Sequence, residues 1–134
     1  MKNLDNKFLR LSGMIFLVNI IILLIISLLF PSNLIFGNAQ LSSLAALMLN
    51  GLLFTLAFLA IDPLYRNFNL KITSDIAWIF VYGIENILIT WVFARLAKLT
   101  GLGISSYFIA LFTGVILTVG QFMTVKNQPL AKKK

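Results

Sequence analysis

The sequence predicts an all-α integral membrane protein, a single transmembrane domain over residues 1–134, with four helices arranged as two tandem antiparallel hairpins. Three observations carry that prediction. Hydrophobic residues make up 60% of the chain and charged residues only 11%, and a chain this small leaves too much surface exposed to hide so much apolar area in water. Four apolar runs, residues 12–30, 41–61, 76–94 and 104–125, reach about the 20 residues needed to cross the hydrocarbon core. Turn-forming and charged residues separate them.

The elements follow in order. Residues 1–10 (MKNLDNKFLR) are polar and basic and precede the uncharged first run, in which Asn19 is the one amide. That run is longer than the apolar region of a usual signal peptide, and no small-residue cleavage pattern follows it, so an uncleaved first helix is expected. Pro31, Ser32, Asn33, Gly37 and Asn38 mark a short uncharged loop. Ser42 or Ser43 is placed to cap the second span, with Asn50 and Gly51 halfway along it. Asp62-Pro63 is expected to end this span, because the residue before proline avoids helical backbone angles. The following PLYRNFNLK reads either as a short interfacial helix or as a loop.

Thr73-Ser74-Asp75 starts the third span, which carries Trp78 near one end and Trp91 near the other, as aromatic belts require. Arg95 and Lys98 follow, the glycines of Thr100-Gly101-Leu102-Gly103 make a turn, and the fourth span leads into the basic tail KNQPLAKKK.

Charge placement sets both orientation and partners. Of the 11 Lys and Arg residues, nine lie in the N-terminal arm, the middle loop and the tail. The positive-inside rule therefore places both termini in the cytoplasm, and the expected setting is a bacterial-type cytoplasmic membrane. The Lys132, Lys133 and Lys134 run is expected to meet anionic headgroups. The net charge of +7 sits at segment ends, and no nucleic-acid-binding motif accompanies it, so no nucleic-acid partner is expected. With no Cys and no His, the chain lacks thiolate and imidazole ligands and nucleophiles, and it has only four acids. Neither an enzyme nor a metal or other cofactor is predicted.

The second and fourth spans match at an offset of 63 residues. Leu41-Ser42-Ser43 falls on Ile104-Ser105-Ser106, Gly51 on Gly114 and Thr55 on Thr118. The first and third spans align with one gap, Phe16 onto Phe80 and Ile20 onto Ile84. A hairpin duplication relating 12–61 to 76–125 is expected, with Gly51 and Gly114 letting backbones approach closely. The apolar hairpin, the IDPLYRNF turn after the second span and the TGLGISSYFIALFTG lead into the fourth carry a further likeness. Over roughly residues 34–121 the chain resembles the four-helix membrane proteins grouped as phage holin superfamily IV. That resemblance implies pore formation and carries over no site residue.

The candidate site centres on Glu85-Asn86, midway along the third span. A charged side chain at bilayer mid-depth costs roughly 2.5–3.5 kcal/mol on insertion scales, so it needs a partner or a task. Tyr82, Asn86 and Thr90 are four apart and share a stripe, with Glu85 beside it. Asn19, Asn50 and Thr113 are expected to converge on that stripe, with the Glu85 acid bonded to Asn50 or Asn19. Two functions fit: a holin-like or channel-like homo-oligomer with the Glu85 cluster at its seam, or a non-transporting subunit or assembly factor of another membrane protein. As a purely structural cluster, the same residues would simply hold helices together.

Overall fold

In the computed structural model, which describes residues 2–69 and 72–127, the chain is mostly helical. The elements are α1 (Lys2–Leu29), β1 (Leu34–Phe36), α2 (Ser43–Asn67), α3 (Asp75–Arg95), α4 (Ala97–Thr100), β2 (Leu102–Ile104) and α5 (Tyr107–Lys126). The four long helices contain segments of 24, 23, 21 and 20 residues that are long and apolar enough to cross a membrane. Lys71 and the Lys132, Lys133 and Lys134 run lie outside the described residues.

Caps and turns appear largely where the side-chain chemistry places them. The Ser42 hydroxyl accepts from the Ala45 amide at 3.2 Å and the Ser74 hydroxyl from the Ala77 amide at 3.1 Å, each satisfying a first-turn donor. At α5 the capping position falls to Ser106, which makes no side-chain cap bond. Ser105 instead donates to the Asn33 side-chain oxygen at 2.9 Å.

The expected stop at Asp62-Pro63 is overturned: α2 runs through Pro63 to Asn67. The missing proline amide removes one bond to the previous turn, but Tyr65 packs on Trp78 of α3 at 6.1 Å and holds the extra turn. Asn69, with φ 56°, then breaks the helix in the left-handed region that asparagine tolerates.

The all-α expectation also needs amending. Both loops at one end of the bundle contain three-residue strands, and these pair antiparallel with Leu34 opposite Ile104, Ile35 opposite Gly103 and Phe36 opposite Leu102. Leu34, Phe36 and Leu102 are buried and join the main core with Leu23, Ile26, Phe54 and Leu117. The pair therefore acts as an apolar lid with satisfied backbone groups. Gly37 and Gly101 have φ of 120° and 73°, and the Gly37 amide donates to the Gly101 carbonyl at 2.8 Å. Both turns use conformations that a Cβ disfavours.

Asn38 ties the lid down. Its amide donates to the Ala97 and Lys98 carbonyls, each at 2.9 Å, and its oxygen accepts from the Gln40 and Leu41 amides. Asn38→Ala is expected to lower stability by about 1 kcal/mol, a modest loss because water reaches this end of the bundle. Thermal unfolding in detergent measures it.

α1 packs against α2 and α5, and α3 packs most extensively against α5. The meeting of α2 with α3 is thinner and runs through aromatic rings: Phe58 with Tyr82 at 4.8 Å and Phe54 with Phe93 at 5.1 Å.

Candidate functional site

The middle of the bundle is crossed by a run of hydrogen bonds that touches all four long helices. The Asn86 amide on α3 donates to Gln121 Oε1 on α5 at 2.7 Å. Gln121 Nε2 donates to Asn19 Oδ1 on α1 at 2.8 Å, and Asn19 Nδ2 donates to Thr55 Oγ1 on α2 at 3.1 Å. The Thr55 hydroxyl closes the run on the Gly51 carbonyl at 2.7 Å. A branch repeats its last two steps: Asn86 donates to Thr118 Oγ1 at 3.1 Å, and Thr118 donates to the Gly114 carbonyl at 2.7 Å. Asn19, Asn86, Thr55, Thr118 and Gln121 are all buried. Such amides are costly in an apolar interior unless bonded, so each helix is held by groups that have nowhere else to go.

Helix positions explain the geometry. Gly51 faces Ile20 and Phe16 of α1, and Gly114 faces the backbone of Ile87 of α3. Removing a side chain at each point lets α2 approach α1 and α5 approach α3, close enough for Thr and Asn one turn further along to meet. Tyr82, Asn86 and Thr90 are the buried residues of α3, as their four-residue spacing predicts. The Thr90 hydroxyl donates to the Asn86 carbonyl at 2.6 Å.

The remaining expected members do not join this run. Asn50 is fully buried but donates to the Ala46 and Thr100 carbonyls at 2.7 and 2.8 Å, binding α2 to the lid end. Thr113 is buried with its hydroxyl unpartnered among the described residues. Tyr82 packs between Phe58 and Trp78. Glu85 forms neither expected bond, to Asn50 or to Asn19: among the described residues its Oε2 is buried and has no hydrogen-bond partner. Asn19 bonds Thr55 and Gln121 instead, while the Asn50 amide donates to backbone carbonyls and its Oδ1, like Glu85 Oε2, is buried without a partner among the described residues.

Glu85 occupies a different face from Asn86. Trp78, Tyr82, Glu85, Ile89 and Phe93 follow at spacings of three and four, one stripe along α3. Three of them make ring contacts to α2, with Tyr65, Phe58 and Phe54. Glu85 therefore sits in the α2–α3 seam, between two of those contacts. No group of three or more potential metal-ligating side chains occurs among the described residues.

Gln121, Thr55 and Thr118 were missing from the predicted cluster. Gln121 stands near the end of its span, where an amide reads as interfacial. The signal available was its spacing: Gly114, Thr118 and Gln121 share one face at intervals of four and three.

Fold and site together define a bundle of four helices, each suited to crossing a membrane and joined across its centre by amide and hydroxyl side chains. Comparison with known proteins finds no matching family model, no matching curated protein and no matching solved structure.

Proposed function

We propose that the chain is a multi-pass membrane protein that serves as a non-transporting subunit or assembly factor. On this reading it receives a helix of another membrane protein at the α2–α3 seam. The observation that carries it is the buried, unpartnered Glu85 oxygen in a bundle where the buried amides of Asn19, Asn86 and Gln121 bond one another. A carboxyl there needs a donor, and all 11 Lys and Arg residues lie outside the four predicted spans. A Lys, Arg or amide on a partner helix supplies it where the thin α2–α3 contact opens.

A holin-like or channel-like oligomer is the second reading, supported by the pattern resemblance and by the seam itself, which in a ring of copies would turn Glu85 towards the centre. Water-filled pores need polar walls. The exposed mid-span residues here, such as Leu17, Ile21, Leu52, Leu56, Ile84 and Leu88, are apolar, which favours the partner reading. Neither reading assigns catalysis. Both place the two termini in the cytoplasm on charge placement, and a reporter active only in the cytoplasm, fused after Lys134, should then be active.

The paired Asn-to-Thr-to-Gly bonds also support a hairpin duplication. The match they suggest sets Asn19 on Asn86 and Ile20 on Ile87, one helical turn from the Phe16-on-Phe80 alignment of sequence alone.

The experiment is extraction in mild detergent followed by identification of co-purifying chains, with Glu85→Gln beside the wild type. A stoichiometric second membrane protein is expected, held about tenfold more weakly by Glu85→Gln because a charge-assisted bond is lost. A homogeneous homo-oligomer that leaks ions from liposomes would overturn the reading in favour of a channel.

A further inference from the structure

At the lid end of the bundle, α3 and α5 frame a surface cavity of about 310 Å³ whose walls include Trp91, Ala94, Arg95, Ile104, Ser106 and Tyr107. Arg95 lies 5.1 Å from the centre of the Trp91 ring and donates to the Tyr107 hydroxyl at 3.5 Å. Trp91 and Tyr107 themselves stack at 6.4 Å. The guanidinium is thus held against an aromatic wall. Among the described residues no carboxylate pairs with it.

The next residue along α5 opens onto a second cavity. Phe108, Phe30, Phe112 and Val115 help wall a groove of about 460 Å³ lined by apolar side chains alone. Phe30 and Phe112 meet edge to face at 5.5 Å and shape its side. A cationic, hydroxyl-bearing cavity and an apolar groove therefore flank the first turn of one helix. Arg95 closes the last turn of α3, at the level where Trp and Tyr gather between hydrocarbon and headgroups.

We propose that these two cavities hold one phospholipid, its phosphate on Arg95 and Ser106 and an acyl chain in the Phe30–Phe112 groove. The planar guanidinium fork matches phosphate oxygens in pairs, and its stacking on Trp91 fixes it before the ligand arrives. Ala94 and Ile104 give the glycerol carbons an apolar floor. The groove selects a lipid over free phosphate, since an inorganic ion would leave it empty. The site rests on the membrane reading above and is independent of Glu85 and the partner seam.

The test is native mass spectrometry of the detergent-purified full chain with three probes: phosphatidylglycerol, a glycosyl diacylglycerol with the same acyl chains, and inorganic phosphate. Wild type should retain one phosphatidylglycerol and little glycolipid. Arg95→Gln should bind the phospholipid about tenfold more weakly, one charge-assisted contact being lost. Arg95→Lys, which keeps the charge without the fork, should fall between them. Lys98→Gln removes an equal charge outside the cavity and should match wild type, as should the melting temperature of Arg95→Gln.

Equal retention by Arg95→Gln and wild type would overturn the proposal, as would equal retention of the glycolipid. Displacement of the lipid by millimolar inorganic phosphate would overturn the lipid assignment. Release of the chain from membranes by alkaline carbonate would sink the membrane reading itself, an outcome distinct from these.

Discussion

Gly114→Leu is expected to part α5 from α3 and to cost about 3 kcal/mol, the upper end of what overpacking usually costs. A Cβ at this position would lie 2.8 Å from the Ile87 amide nitrogen and 2.9 Å from its Cα. Backbone cannot turn aside as a side chain can, so the helices must separate. Separation also stretches the bonds from Asn86 to Thr118 and Gln121. Gly51 gives the internal comparison. Its added Cβ would meet Ile20 Cγ1 at 2.5 Å, a side-chain atom with some freedom to move. Gly13, with nothing within 4 Å, should accept alanine without loss. The order Gly114, Gly51, Gly13 in loss of melting temperature is the measurement. Equal losses at Gly114 and Gly13 would refute the close approach of α3 and α5.

The second large effect is expected at Gln121. Replacement by leucine keeps the volume roughly and deletes a side chain that bonds both Asn19 and Asn86. Asn19 Oδ1 is then buried without its donor, and an orphaned buried acceptor costs about 1–3 kcal/mol. Measured interhelical bonds in membrane bundles average nearer 0.6 kcal/mol, because the dissociated helices find other partners. A loss of about 2 kcal/mol is expected here, since two bonds go and their partners sit in a dry centre. A double-mutant cycle with Asn19→Leu checks it: the pair should cost less than the two single changes together. Simple additivity would mean the bond contributes nothing.

What the sequence makes legible divides by range. Spans and caps depend on composition and on neighbours a few residues apart, so the four apolar runs, Ser42 and Ser74 could be read directly. Burial of Asn19, Asn50 and Asn86 was also readable, because an amide in such a run has no good place but the interior. Their partners were not. Gln121 lies 102 residues from Asn19, and nothing local distinguishes it from an interfacial amide. The strands escaped for the same reason: three residues each, without alternation long enough to register, they exist only through pairing across the chain. At Pro63 a local rule gave the wrong answer: α2 continues past it to Asn67, and Tyr65 in that added turn packs on Trp78, a contact made across the chain. The role of Glu85 depends on which groups its neighbours already bond, and that is a property of the whole bundle.

The strand pair also has a consequence in time. Leu34–Phe36 leaves the ribosome well before Leu102–Ile104 has been made, and its edge has no mate in the interval. The Asn19 side-chain oxygen likewise waits for a donor 102 residues later. Closing such long loops is slow and entropically costly, so these contacts come after the local helices. During synthesis the first half of the chain is therefore an open half-bundle whose strand edge and buried amide lack their mates. That window shuts only when the last helix takes its place.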